Sequence, residues 1–319
     1  MPSDPDDLRL DGLHHITMIT GDARMNVEFY ADVLGLRLVK KTVNFDEPNA
    51  YHLYFGDETG APGSILTWFD FDGAGRGRAG AGMIHRIQLG VADDDSLDFW
   101  AARLRVKGYM SMRREGSLTF EDFEGLSLEL VLADPRNPPL RAAHPEVPAE
   151  YAILGVEGAR AYTSRAWDEA GLLTETLGFA NLGRGEYRLD GDERQFRWAH
   201  DPPPVLRGRQ GAGTVHHIAW AAPGDDDQLA WQDRVSRAGL FVTDVRDRQY
   251  FKSIYFREPR GILFEIATRA PGFAVDEDPD HLGEELRVPE MYAHLRPQLA
   301  EVLPALVNPR VSQRQQQGS

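Results

Sequence analysis

The sequence predicts an α+β fold made of one unit, a strand, a helix and about three further strands, used four times. Three observations predict it. LHHITMITGDAR, from residue 13, and VHHIAWAAPGDDD, from residue 215, open with the same His-His pair at the front of a strand. GVADDDSLDFWAARLRVKGY (90–109) and AAPGDDDQLAWQDRVSRAGL (221–240) both run from a strand end, through an acidic cluster, into an amphipathic helix with a Trp, and out through a Gly. Short alternating or aromatic runs then follow, in the pattern of strands.

The first unit continues from its histidines into the helical segment TGDARMNVEFYADVLGLRLV and the strands AYHLYFGD and SILTWFDF. The second opens on MIHRIQLGV and closes with LTFEDFE and LSLELVLA. The third opens on YAILGV, has a weaker helical copy in GARAYTSRAWDEAGLLTETLGFANL (158–182), and ends with EYRLDG and QFRWAH. The fourth ends with SIYFREP and GILFEIAT. The acidic clusters suit helix N-termini, where aspartates cap free N–H groups and meet the positive end of the dipole. The glycines suit left-handed C-terminal caps. Joints lie at DGAGRGRAGAG (72–82), at the Pro-rich DPRNPPLRAAHPEVP (134–148) and at DPPPVLRGRQGAG (201–213). The chain thus divides into an N-terminal pair of units at 8–133, a C-terminal pair at 149–270 and an extension at 271–319. The extension reads as a helix around 289–304 and a polar, disordered tail, RVSQRQQQGS.

Composition narrows the function. With 319 residues, 27% charged and a formal charge of −15, the surface repels phosphate backbones and anionic lipid. No apolar run approaches the roughly 20 residues that span a bilayer. The N-terminus lacks the basic and apolar regions of a signal peptide, so a cytoplasmic protein is expected. Nucleic acid and membranes are not expected as partners, and a homo-oligomer is left open. The chain has no cysteine, so a metal here must be held by His, Asp or Glu.

Side chains alternate along a strand, so one member of each His pair can serve a given site and its neighbour packs beside it. Overlaying the late strands of units one and four, PGSILTWFD on PRGILFEIA, sets Thr67 opposite Glu265 and Tyr54 opposite Tyr255. If the two units pair about a pseudo-twofold axis, one His from each first strand, Thr67 and Glu265 converge. Two imidazoles and one carboxylate with open positions suit a non-haem Fe(II) that works with O2. A lone strand histidine is more often a hydrogen-bonded core residue. Two pairs at equivalent positions, with a glutamate inside an apolar strand, favour the metal. In unit two Arg86 stands where the ligand would be, and unit three has no His in its opening run. Units two and three therefore read as a structural pair, with Glu129 a partner of Arg86 and their shared cavity filled or closed.

LHHIT, YHLYFGDE, VHHIAW, SIYFREP, GILFE and the PGFAVDEDPDHLGEEL tail together resemble the vicinal oxygen chelate superfamily, and within it the ring-cleaving dioxygenases that open hydroquinones. The resemblance runs from about Leu10 to the helix near 300. It implies paired βαβββ units whose mixed sheets curve into half-barrels. It implies ligands at His15, His217 and Glu265, neighbouring histidines at His14 and His216, an active-site tyrosine at Tyr255 and an arginine at Arg248. It implies Fe(II), or Mn(II) in its place, with a small aromatic diol and O2 as substrates and no organic cofactor. His52 and Tyr54 are expected near the cavity. The alternatives are a glyoxalase-type metal-dependent lyase or isomerase, which normally adds a fourth protein ligand where this chain has Thr67, and an extradiol catechol dioxygenase.

Overall fold

The computed structural model describes residues 8–163 and 171–311. Two mixed sheets carry the fold. The strands in chain order are β1 (Leu13–Thr20), β2 (Arg37–Val43), β3 (Tyr51–Gly56), β4 (Ile65–Asp70), β5 (Met83–Val91), β6 (Ser111–Arg114), β7 (Ser117–Glu121), β8 (Ser127–Leu132), β9 (Val156–Tyr162), β10 (Ala180–Gly183), β11 (Glu186–Asp190), β12 (Gln195–Asp201), β13 (Thr214–Ala222), β14 (Arg246–Asp247), β15 (Lys252–Arg257), β16 (Leu263–Thr268) and β17 (Leu286–Arg287). The nine-stranded sheet runs β14-β15-β16-β13-β1-β4-β3-β2-β17, so it joins units one and four. The eight-stranded sheet runs β10-β11-β12-β9-β5-β8-β7-β6 and joins units two and three. In each unit the first strand lies parallel to the last, as β1 does to β4 and β13 to β16. The two first strands meet antiparallel at the centre, β1 on β13 and β5 on β9. This is the expected α+β architecture of paired, half-barrel mixed sheets.

The helices are α1 (Ala23–Val27), α2 (Asp94–Val106), α3 (Asp225–Arg237) and α4 (Arg296–Val302). Asp93 caps α2 by accepting from the Ser96 backbone N–H, and Trp100 is buried beneath it. In α3 the cap position is Gly224, and Asp225, Asp226 and Asp227 fill the first turn instead. Both helices end on a left-handed glycine, Gly108 at φ 87° and Gly239 at φ 86°. In unit one α1 passes directly into a π-helical turn, Glu28–Val33. The expected helix of unit three falls largely on 164–170, outside the described residues, and a π-helical turn at Leu172–Thr176 follows.

One expectation fails. YAILGV is not the first strand of unit three; that strand is β9, VEGARAY. Ile153 and Leu154 are buried in the connection that enters the sheet, where Leu154 N already donates to Gly90 O of β5 at 2.8 Å. The small residues Gly158, Ala159 and Ala161 conceal the alternation of the true strand, because they carry little apolar signal while packing closely between β5 and β12.

The nine-stranded sheet is covered on both faces: every residue of β1, β2 and β3 is buried. The cover on the inner face comes from the extension. Phe273 packs on Tyr54 with ring centres 5.0 Å apart, and Leu282 joins the same apolar cluster. Lys40, fully buried on β2, reaches Asp276 at 2.6 Å and pairs with Glu277. The extension also adds β17 to the sheet edge beside β2. Arg310 closes on Glu58, with Nη1 donating to Oε2 at 2.8 Å, and the tail at 312–319 lies outside the described residues.

Candidate metal centre

Alternation along five strands determines which side chains reach the inner face of the nine-stranded sheet. Ile16 and Met18, Ile218 and Trp220, Phe264 and Ile266, Ile254 and Phe256, and Leu53 and Phe55 all enter the main core. The residues that alternate with them face the other way, among them His15, His217, Glu265, Tyr255 and Tyr54. Three of these converge. His15 Nε2 lies 3.3 Å from His217 Nε2. Glu265 Oε2 lies 3.0 Å from His217 Nε2 and 3.4 Å from His15 Nε2. All three side chains are buried, and among the described residues they form the single group of three with metal-ligand atoms in mutual reach.

Strict alternation would turn His14 and His216 away from this point. Each sits instead on a bulge. Between Leu13 and His15 the register with β13 slips by one residue, which makes His14 the extra residue. Between Thr17 and Met18 it slips again, which makes His216 the extra residue on β13. A bulge re-aims a side chain. Here it brings His14 Nδ1 to 2.8 Å from His15 Nδ1, and His216 Nδ1 to 2.8 Å from His217 Nδ1.

The proton positions follow. His14 Nε2 faces the Thr268 carbonyl at 3.2 Å, and a carbonyl only accepts, so this nitrogen carries a proton. Burial, then the neighbouring His15, lower the His14 pKa to about 3, so its Nδ1 is bare at neutral pH and accepts. His15 must then donate from Nδ1, which leaves its Nε2 lone pair aimed at Glu265 and His217. Metal-ligating imidazoles are typically held this way. Burial also lowers His216 to about 3.

On the carboxylate, Ser253 Oγ donates to Glu265 Oε1. Oε2 is fully enclosed and makes no well-formed hydrogen bond. Burial pushes this carboxyl up, and positive charge at the His15 and His217 nitrogens outweighs it and holds the group well below the usual range; with the rings neutral, that charge is left for a cation to supply. An unsatisfied buried carboxylate oxygen beside two imidazole nitrogens is costly alone and is matched by a cation. The donor set fits a divalent metal with open positions.

The surrounding cavity is small, about 20 Å³, room for one water. Phe45, Asp46, His52, Arg248, Phe251 and Tyr255 line it. Arg248 is 17% exposed and not a solvated surface charge. Its Nε donates to Tyr255 Oη at 3.2 Å, and its Nη1 and Nη2 grip Asp46 at 3.3 and 3.0 Å. Burial, then the charge of Glu265, raise the Tyr255 phenol, so it stays protonated at neutral pH. Thr67 is held by other hydroxyl and ring groups: its Oγ1 lies 2.9 Å from Thr17 Oγ1 and 2.8 Å from His52 Nε2, and Tyr54 Oη completes the chain at 2.8 Å from His52 Nδ1. Four contributors were missed in the sequence. Ser253 was legible as the same-face neighbour of Tyr255. Asp46, Phe251 and Thr268 act through contacts between distant segments and leave no local signal.

Residues 12–137 and 171–266 match the glyoxalase/bleomycin resistance protein/dioxygenase superfamily. The chain belongs to that superfamily. MhqO of Bacillus subtilis, provisionally named a ring-cleaving dioxygenase, is 43% identical over 92% of this chain and 95% of its own. The chlorohydroquinone/hydroquinone 1,2-dioxygenase of Sphingobium indicum is 34% identical over 88% of this chain and 92% of its own. A crystal structure of a Bacillus subtilis protein, provisionally described as a dioxygenase, superposes with a TM-score of 0.85 at 41% identity, covering 93% of this chain and 98% of the other. Glyoxalase I from Zea mays shares the fold, with a TM-score of 0.58 at 14% identity over 81% of this chain and 92% of its own.

The second sheet repeats this superfamily geometry without the ligands. By register, Arg86 takes the place of His15 and Gly158 that of His217. Gln88 Nε2 donates to Glu129 Oε2 at 2.9 Å, while Arg86 lies 3.9 Å from that oxygen. Arg160 forks onto Asp201 at 2.8 and 2.7 Å. These groups fill the centre, as expected. The expectation that the whole cavity closes is not met. A cleft of about 650 Å³ remains where β5 and β8 begin and β9 ends, because the two linkers bridge it instead of dropping in.

Proposed function

We propose that this protein is a ring-cleaving dioxygenase that opens hydroquinone-type aromatic diols with O2 and a divalent metal, Fe(II) or Mn(II), held by His15, His217 and Glu265. The observation that carries it is the convergence of two imidazole Nε2 atoms and one unsatisfied carboxylate oxygen, with the His15 lone pair fixed by the His14–Thr268 chain. The names of the Bacillus and Sphingobium relatives support the ring-cleaving assignment and the hydroquinone class. The chemistry such a metal supplies when bound is electron transfer between the ring and O2.

The remaining roles belong to this chain. His14 and His216 hold the ligand rings in orientation. Arg248 presents a fixed positive charge to an anionic diol oxygen. Tyr255, protonated and already hydrogen-bonded to Arg248, is placed to donate to the oxygen that gains charge during reaction. His52, held neutral by burial, orients Tyr54 and Thr67. An aromatic ring does not enter a space of about 20 Å³, so binding requires Asp46 and Arg248 to part. Thr67 speaks against the lyase alternative, since its hydroxyl is engaged with Thr17 and His52 and, among the described residues, no second carboxylate joins the group as a fourth ligand. A cytoplasmic setting belongs to the same proposal.

The test is oxygen uptake by protein reconstituted anaerobically with Fe(II), on hydroquinone, a monosubstituted hydroquinone and catechol. Uptake with a higher kcat/KM for the para-diols supports the reading. Faster turnover of catechol moves the protein to the extradiol class. Isomerisation of a glutathione hemithioacetal without oxygen uptake moves it to the glyoxalases.

A further inference from the structure

The two linkers carry the same short motif, Arg76-Gly77-Arg78 and Arg207-Gly208-Arg209. They lie side by side as a two-stranded ribbon. Arg78 and Arg209 exchange both backbone hydrogen bonds at 2.8 Å, and Gly77 N donates to Ala212 O at 2.8 Å. The glycines are required by this closeness. A Cβ on Gly80 would lie 2.2 Å from Gly208 N, and one on Gly211 would lie 2.5 Å from Gly75 O. A Cβ on Gly77 would meet Gly211 N at 2.8 Å.

The ribbon forms one wall of the cleft of about 650 Å³. Arg76, Arg78 and Arg209 line it from the ribbon, and Arg86 from the floor. The three ribbon guanidiniums hydrogen-bond to main-chain carbonyls. Arg76 donates to Glu124 O, Arg78 to Arg207 O at 3.0 Å from Nη2, and Arg209 to Arg76 O at 2.6 Å. A carbonyl fixes a guanidinium in place without cancelling its charge. Arg86 donates to Ser127 Oγ at 3.0 Å and stands only at 3.9 Å from Glu129. Two carboxylates also line the cleft, Glu121 and Glu124. Burial raises the Glu124 pKa to about 7, so near neutrality much of its charge is absent. The remaining wall is flat and only partly apolar, since His85 Nε2 pairs with Asp201 Oδ2 at 2.8 Å. Tyr162 stacks on His85 with ring centres 3.8 Å apart and planes 9° apart, beside Ile84 and Leu126.

In a chain with a formal charge of −15, four arginines against two glutamates give this concavity a positive lining. Where the nine-stranded sheet offers three ligands to a metal, its partner sheet offers a fixed cation at the register position of His15. We infer that this cleft is a second binding site, specific for an organic carboxylate with a flat, unsaturated body. The guanidinium forks match carboxylate oxygens, and Tyr162 with its apolar neighbours matches the body. The site is independent of the reaction proposed above.

The probe is cis,cis-muconate, a flat unsaturated dicarboxylate with no diol to react. It is titrated calorimetrically into the full-length protein after chelator treatment, alongside H217A, R78Q/R209Q and R86Q, with inorganic phosphate as the comparison anion. Muconate should bind one per chain to wild type and to H217A with equal affinity, and phosphate should bind at least tenfold more weakly. R78Q/R209Q should weaken muconate by about tenfold or more, as loss of charge-assisted bonds does. R86Q removes no main-chain contact and should lower affinity in the same direction if the ribbon variant does not fold. No binding to wild type, loss of binding in H217A with retention in R78Q/R209Q or R86Q, or phosphate binding as tightly as muconate would each overturn the inference.

Discussion

His14 and His15 face each other through their Nδ1 atoms at 2.8 Å, and this contact determines what His15 offers on its other side. The Thr268 carbonyl anchors the chain of protons at one end, and the His15 Nε2 lone pair is its other end. His216 Nδ1 lies at the same distance, 2.8 Å, from His217 Nδ1. The ligand and the orienting residue can therefore be separated by experiment. H15A, H217A and E265A should each lose stoichiometric metal, read by elemental analysis after reconstitution, from one per chain in wild type. H14A and H216A should keep the metal and lose activity by roughly 10–100-fold, the usual cost of removing a group that orients a ligand. Metal-free H14A beside metal-loaded H15A would reverse the assignment.

Asp46 and Arg248 close the cavity with a pair that is exposed on one side, Asp46 being 73% accessible. Such a pair contributes at most about 1 kcal/mol, or roughly fivefold in an open-to-closed equilibrium. D46A should therefore raise the apparent association rate of a hydroquinone by up to about fivefold in stopped-flow measurements, with metal content unchanged. R248A removes both the latch and the donor to Tyr255, so it should lower kcat as well. An unchanged association rate in D46A would show that the ring enters by another route.

The pairing of units was legible because the His pairs repeat and GILFE breaks its own apolar run with a charge. The bulges were not. A one-residue slip leaves no trace in periodicity, so alternation alone left open which member of each pair faces the site and did not show that His14 and His216 turn their Nδ1 atoms onto His15 and His217. YAILGV misled for the opposite reason: Ile153 and Leu154 are apolar because they are buried in a connection, while β9 presents Gly158, Ala159 and Ala161 and looks featureless. The extension read as an appendage, yet Phe273 and Leu282 complete the inner face. That contact joins segments more than two hundred residues apart, and no local pattern encodes it. The two RGR linkers were read as joints, and their pairing likewise depends on the sheets that they connect.

Lys40 tests whether the extension is structural. Its ammonium is fully buried against Asp276 and Glu277. Removing one partner of a buried pair leaves an uncompensated charge and costs about 3–5 kcal/mol. K40M should lower stability by that order in urea unfolding, with Arg287, 3.4 Å from Glu277 Oε1, keeping the loss toward the lower end. K40M/E277L replaces the pair by apolar groups and should recover a large part. Equal stability of K40M and wild type would mean that the extension docks through Phe273 and its neighbours alone.

Stability should also fall as pH rises from about 4 to about 7. Burial, then the charges of Asp72 and Asp22, raise Asp70 to about 6, and burial raises Glu124 to about 7. Both folded values lie above the unfolded ones, 3.8 and 4.5. In that window the folded chain holds protons that the unfolded chain has already released, so each pH unit favours unfolding. Below the unfolded values the two states bind alike, and above about 7 the penalty is complete and constant. After allowance for partial exposure, each group should cost about 1 kcal/mol at neutral pH. D70N and E124Q carry no charge to release. Urea midpoints from pH 4 to 8 should slope downward in wild type, less in each variant, and least in the double variant. A wild-type slope unchanged in D70N/E124Q would assign the loss to other carboxylates, and a rising slope would show that the paired, depressed carboxylates such as Asp134 and Asp201 dominate at acid pH.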